Sequence, residues 1–254
     1  VQAIWQDGGF SAWRTQLGDF VDYVPLSLQE PVQAIVLAHG SIPSQETALD
    51  RATGYAQLAP WVNAANRYGM ILVAPAFDRI NFWNHRELEG EIVSADTFVL
   101  RILATYEARM NNFDRKIYLY GHSAGGQFAH RFAVTHPQRL YSLVVSAAGN
   151  YARPDDEIPW PFGRDGSPNP DGFATITNLP IAVVVGGNDI YPDGMGGEYQ
   201  KGENRIERGY YWVQEMGRLA QSTGVQPRIN FVEVPGVPHD TVGLTQTAVQ
   251  YLLR

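Results

Sequence analysis

The sequence predicts an α/β fold, a mostly parallel central sheet wound in both directions with helices on both faces. Three observations carry this. Short β-rich runs alternate with longer segments of helical spacing, the signature of repeated β-α units. Several of the runs, such as "YSLVVSAA" and "IAVVVGG", are continuously apolar rather than alternating, as strands buried on both faces are. The chain has 254 residues, 44% of them hydrophobic, which suits one large domain spanning residues 1–254 with a sizeable core.

The elements follow in order. "FVDYV" (20–24) and "AIVLAHG" (34–40) read as strands, the second ending in a turn. Residues 55–69 read as one helix stopped near Gly69, and "MILVAPAF" (70–77) as the next strand. Residues 92–113 place Ala95, Phe98, Val99, Ile102, Leu103 and Tyr106 on one helical face. "KIYLYG" (116–121) is a strand and 125–137 a helix, with Phe128 and Phe132 one turn apart. Strands follow at 141–148 and 181–187, a helix at 204–222, the last strand at 228–234 and the last helix at 241–253. Residues 150–176 interrupt this rhythm with many Pro, Gly and Asp, and read as a loop-rich insertion, a lid over the functional end of the sheet.

Composition narrows the function. The net charge is −7 and no Lys/Arg cluster occurs, which argues against nucleic acid or anionic membranes as the main partner. No apolar run approaches the roughly 20 residues needed to span a bilayer. With no cysteine, disulfides, thiolate nucleophiles and cysteine-ligated metals are excluded. The chain opens at Val1 without a signal-like segment, as either a processed mature form or a trimmed chain would, and the reading leans to export by a bacterium, secreted or periplasmic.

Ligands of open α/β sheets bind at the carboxyl ends of the strands, so polar residues just after strands matter most. Ser123 follows "KIYLY", Asp189 follows "IAVVVGGN" and His239 follows "RINFVEVPGVP"; His39-Gly40-Ser41 ends the strand "AIVLA". Gly121-His122-Ser123-Ala124-Gly125 satisfies G-x-S-x-G between a strand and a helix, as that motif requires. A serine hydroxyl needs an imidazole to take its proton and a carboxylate to fix the imidazole's tautomer. Ser, Asp and His occur in that order.

On these residues the chain resembles the α/β-hydrolases over nearly its full length, and within them the secreted esterase and polyester-depolymerase-like branch. The resemblance implies Ser123 as nucleophile, Asp189 as acid and His239 as base. It also implies an oxyanion hole made by the Ala124 N–H and the Ser41 N–H, with Ile42 as the alternative second donor. His-Gly-Ser-Ile departs from the three-glycine run of lipases at that point. The reaction implied is acyl transfer from a carboxylic ester, small or polymeric, to water, with no metal or organic cofactor. A peptidase, a lyase on the same fold and a non-catalytic binding protein with a relic pocket are the alternatives.

Other residues compete for these roles. Asp193 rivals Asp189, whereas Asp240 adjoins His239 and cannot easily reach the far side of its ring. His122 is expected to pack with its side chain turned away from Ser123. It is kept, with Ile42, Trp83 and Trp160, as a candidate substrate contact, the two tryptophans being possible exposed platforms on loops. His85, His130 and His136 are expected at solvated surfaces. "DIYPDGMGGE" (189–198) has the oxygen-rich look of a calcium loop but lacks its ligand spacing, and reads as a solvated loop.

Overall fold

The computed structural model describes residues 1–194 and 197–254. A single nine-stranded sheet organises them. Its strands are β1 (Gln2–Asp7), β2 (Phe10–Arg14), β3 (Asp19–Tyr23), β4 (Val32–Ala38), β5 (Ile71–Ala76), β6 (Phe113–His122), β7 (Leu140–Ser146), β8 (Ile181–Gly186) and β9 (Ile229–Val234). In space they run β1-β2-β3-β5-β4-β6-β7-β8-β9. Every pairing from β5 to β9 is parallel, and β1, β2 and β3 add an antiparallel edge on β5. The helices are α1 (Ala48–Ala56), α2 (Ala59–Tyr68), α3 (Ala95–Arg109), α4 (Ala124–Thr135), α5 (Gly172–Ile176), α6 (Arg205–Ser222) and α7 (Thr241–Leu252).

The two faces of the sheet carry two cores. Along β4, Val32, Ala34, Val36 and Ala38 join one core, and Ile35 and Leu37 the other. This is the period-two alternation of a strand covered on both sides. Phe98 and Ile102 of α3, Phe128 and Phe132 of α4, and Trp212 and Met216 of α6 cover the first face. Tyr55 of α1, Trp61 of α2, and Leu244 and Ala248 of α7 cover the second. The doubly wound reading is therefore correct. Because β5 and β6 lie on opposite sides of β4, the winding reverses there. The carboxyl ends of β4 and β6 thus flank the crevice in which such sheets bind ligands.

Two local expectations fail, and one hairpin carries no expectation at all. The β1–β2 hairpin went unread, although Gly8-Gly9 turns it with φ of 55° and 88°, the positive values a tight hairpin turn needs. The single helix expected over 55–69 is two. Thr47 opens α1 with a capping box to Asp50, and Pro60 in the first turn of α2 marks the restart after Leu58. The helix expected to reach residue 113 ends at Arg109, and β6 begins at Phe113.

The histidines expected at surfaces are mostly interior. His130 is fully buried because α4 is buried on every side from Ala124 to Val134. It accepts the Ala152 N–H at Nε2 (2.8 Å) and donates from Nδ1 to the Gly126 carbonyl (2.9 Å), so its neutral tautomer is fixed. His85 is buried, its ring stacked on Phe77 with centroids 4.8 Å apart. His136 is partly covered and bonds Asp96 at 2.6 Å.

Candidate active site

Ser123 sits between β6 and α4 with φ 55° and ψ −116°, a conformation that costs an L-residue on the order of 1–3 kcal/mol. The surroundings enforce it. The Ser123 N–H donates to the Ser146 carbonyl at 2.8 Å, and α4 begins at the next residue. A Cβ at Gly121 would come within 2.0 Å of the Gly125 carbonyl oxygen, and one at Gly125 within 2.0 Å of the Ala38 carbonyl oxygen. The glycines therefore let the turn close on itself and on β4.

Loops after β8 and β9 bring two further side chains to this turn. His239 Nε2 lies 3.1 Å from Ser123 Oγ, and its Nδ1 lies 2.7 Å from Asp189 Oδ2. An ionised carboxylate only accepts hydrogen bonds, so Nδ1 carries the proton of the neutral ring. Nε2 then presents its lone pair to the hydroxyl. Burial pushes the Asp189 carboxyl up. The hydrogen bond and charge of His239, with Arg205 behind them, outweigh burial and hold it below the usual carboxylate value. Ser123, Asp189 and His239 are thus one hydrogen-bonded line, and the bond between His239 and Ser123 is open to solvent.

The rival acids are engaged elsewhere. Asp193 accepts from Arg208 Nη2 at both oxygens, at 2.6 and 2.7 Å, and pairs with Arg205. Asp240 caps α7 by accepting from the Val242 and Gly243 N–H groups. Of the 189–198 loop, residues 195 and 196 lie outside the described residues. Among the described residues, no group of three or more His, Asp or Glu could hold a metal ion. No helix of the described residues is long and apolar enough to cross a membrane.

The start of α4 and the loop after β4 border Ser123. The Ala124 N–H belongs to the first residue of α4 and has no intrahelical acceptor. The loop after β4 lies against the elbow, since a Cβ on Gly40 would come within 3.3 Å of Ser123 Cβ. His39 anchors this loop from within. It accepts the Phe77 N–H at Nε2 (3.0 Å) and donates from Nδ1 to the Gly40 carbonyl (2.7 Å). Burial lowers its pKa to about 4, so it stays neutral. The Gly40 N–H is already committed to Tyr55 Oη at 3.1 Å, which leaves Ser41 N–H as the next amide along. The Ile42 carbonyl receives Arg79, and the Ile42 side chain packs on the second core.

The candidate substrate contacts separate into different environments. Trp83 is 56% exposed on the loop after β5. Trp160 is not an exposed platform, because its ring packs against the first core. His122 is buried behind His239, with ring centroids 4.9 Å apart, and bonds Ser146 Oγ through Nδ1 at 3.1 Å. That position gives it a packing role against the His239 ring and no face for a substrate.

The Pro-rich segment is fastened along its length. Buried Arg131 of α4 donates to the carbonyls of Pro161 and Arg86 and to Asn150 Oδ1, each at 2.9 Å. Trp212 Nε1 donates to the Ala152 carbonyl, Arg153 pairs with Glu215, and Asn169 reaches the Val134 carbonyl. Arg131 and Val134 lie on α4, and Trp212 and Glu215 on α6, so the segment is tied to both helices. Sequence reasoning missed Arg131, whose burial pulls its pKa down to about 9. It also missed Arg205, which donates to Asp189 Oδ1 at 3.2 Å. Neither has a local sequence signal, because each acts on residues distant in the chain.

The sequence matches no protein-family model and no protein of curated function. Solved structures, in contrast, superpose over nearly the whole chain. LpqC, a poly(3-hydroxybutyrate) depolymerase from Bordetella parapertussis, is 24% identical with a TM-score of 0.77, the match covering 96% of this chain and 88% of that one. Poly(aspartic acid) hydrolase-1 from Sphingomonas sp. KT-1 is 20% identical with a TM-score of 0.76, covering 97% and 98%. An acetyl xylan esterase from Aspergillus awamori is 12% identical with a TM-score of 0.63, covering 96% and 99%. With this shared architecture, its winding reversal at β4 and its strand–turn–helix serine, the chain has the α/β-hydrolase fold.

Proposed function

We propose that the protein is a serine hydrolase that cleaves carboxylic esters through an acyl-enzyme intermediate. One observation carries the reading: Ser123 Oγ, His239 and Asp189 are joined by two hydrogen bonds at a strained turn opening a helix. His239 Nε2 takes the Ser123 proton as the oxygen attacks the ester carbonyl. Asp189 stabilises the imidazolium that forms. The Ala124 and Ser41 N–H groups donate to the developing oxyanion, each worth roughly 2.7–4 kcal/mol at the transition state. His239 then gives its proton to the leaving alcohol, and water attacks the acyl-enzyme with His239 again as base.

Retention of the strained Ser123 conformation supports catalysis over a relic binding pocket, because a chain without need of the hydroxyl gains by relaxing that turn. The names of the superposed structures support esters as the substrate class, and one of them, a poly(aspartic acid) hydrolase, keeps amide cleavage as the second reading. A fluorophosphonate probe tests the mechanism. Wild-type protein should be labelled and should hydrolyse p-nitrophenyl acetate, and Ser123→Ala should do neither above a small residual rate. Labelling at another residue, or near-wild-type turnover in the variant, refutes it.

A further inference from the structure

Behind the proposed acid, charges alternate in a line that ends in α6. Asp189 gives Oδ2 to His239, and its other oxygen, Oδ1, accepts from Arg205 Nη1 at 3.2 Å. Arg205 Nη2 lies 3.0 Å from Asp193 Oδ2, and Arg208 Nη2 grips both Asp193 oxygens. Arg208 Nη1 in turn donates to the Glu203 carbonyl at 3.0 Å. Arg205 and Arg208, three residues apart, share one face of the first turn of α6. The side chains are largely desolvated, with Arg208 only 1% exposed and Asp189 4%. Removing water strengthens each of these interactions and makes an unbalanced charge expensive.

We propose that Arg205 is a positioning residue that holds the Asp189 carboxylate turned toward His239, and that Asp193, fixed by Arg208, balances its charge. The inference rests on the triad reading above. A carboxylate held only by His239 can rotate about its Cβ–Cγ bond, and Arg205 removes that freedom by taking the second oxygen. A lone arginine there would also neutralise Asp189 and so weaken its support for the imidazolium. Asp193 draws part of that positive charge back. The two residues therefore act on His239 with opposite sign.

Other charged and titratable groups surround Asp189, His122 and the His239 ring. His122 lies behind it from β6 and is kept neutral by burial. Arg51 of α1 adds a positive potential at His122. Tyr151, after β7, feels Asp189, Arg205 and Arg208, and burial pushes its hydroxyl pKa up. Asp240 is engaged at the start of α7. Removing Arg205 or Asp193 leaves all four in place.

The test is the pH dependence of kcat/KM for p-nitrophenyl acetate in wild type, Arg205→Met, Arg205→Lys and Asp193→Asn. Each is paired with fluorophosphonate labelling and a thermal melt. Arg205→Met should lower kcat on the order of tenfold to a hundredfold with KM little changed, the signature of a misplaced catalytic group. Its acid limb should move up by about half to one pH unit, because a nearby cation has been lost. Asp193→Asn should move the limb down. Arg205→Lys keeps the cation but cannot bridge both carboxylates, so it should restore the limb and only part of kcat. Limbs that stay put, or that move the same way in the two charge variants, overturn the proposal. If Arg205→Met does not fold, Arg205→Lys and Asp193→Asn decide: a wild-type kcat in the first or an unmoved limb in the second overturns it. A wild-type protein that neither labels nor hydrolyses esters refutes the hydrolase reading itself, whereas a labelled wild type with an unaffected Arg205→Met refutes only this inference.

Discussion

Replacing Asp189 with Asn removes one charge and changes almost no volume, yet the surroundings dictate which way the new amide must face. Arg205 has only donors, and it points Nη1 at the position of Oδ1. The Asn carbonyl oxygen therefore turns to Arg205, and the NH₂ group turns to His239 Nδ1. That nitrogen must now accept, so the proton of the neutral ring moves to Nε2, the atom 3.1 Å from Ser123 Oγ. A protonated Nε2 cannot take the serine proton. The loss should approach 10⁴-fold in kcat, by analogy with the wrong-tautomer effect in other triads, or about 5.4 kcal/mol of transition-state stabilisation. Stopped-flow or steady-state hydrolysis of p-nitrophenyl acetate measures it, with KM expected near the wild-type value. Asp193→Asn, which leaves the Asp189–His239 bond intact, should lose far less. A larger loss in Asp193→Asn than in Asp189→Asn would refute the acid assignment and the tautomer argument together.

The remaining expectations concern stability. Burial lowers His39 to about 4 from an ordinary 6.5, so the unfolded chain binds the extra proton between those values. The His39 contribution, about 3 kcal/mol at most, is present above pH 6.5 and is lost as pH falls to about 4. Burial also lowers His85, His122 and His130, and these steepen the same slope. Urea midpoints that stay flat between pH 7 and 4.5 would contradict this. Arg131→Met should destabilise by roughly 1–3 kcal/mol, since it strands the buried Asn150 Oδ1 and the part-buried carbonyls of Pro161 and Arg86. A urea midpoint shift worth under about 0.5 kcal/mol would show that those oxygens find other partners. Ser123→Gly should be more stable than Ser123→Ala, reversing the usual order by which glycine loses roughly 0.4–1 kcal/mol, because φ 55° and ψ −116° suit a residue without Cβ. Paired thermal melts decide it, and the usual order would mean that the turn carries little strain.

The parallel half of the fold was readable because its strands are short continuous apolar runs rich in β-branched residues, which burial on both faces of a sheet rewards. Each of β4, β6, β7 and β8 was found within a few residues for that reason. The edge hairpin was harder. "QAIWQD" and "FSAWR" mix polar and apolar residues without strong alternation, and most of β1 is exposed. Only Gly8-Gly9 between them marked the turn. The break between α1 and α2 was hidden differently, since Tyr55, Ala56, Trp61 and Ala65 continue one apolar face of the second core across it. Periodicity saw the face and missed the caps.

The site divides along the same line. Ser123, Asp189 and His239 could be found from sequence because each stands at the end of a strand, and strand ends in a parallel sheet converge by topology alone. Arg205 could not, because its role depends on how the first turn of α6 is rotated over the loop after β8. That rotation is set by burial of Trp212, Val213 and Met216 against the sheet, and no short motif encodes it. Reading His85 and His130 as solvated failed for a related reason. A histidine in a helix or loop is judged exposed from its polarity, yet here backbone groups satisfy both His130 nitrogens and the buried His85 ring stacks on Phe77. Convergence at strand ends is a property of the topology, and topology is legible in the order of elements. Support for the converged residues comes from side chains oriented by packing, so it becomes visible only once the core is assembled.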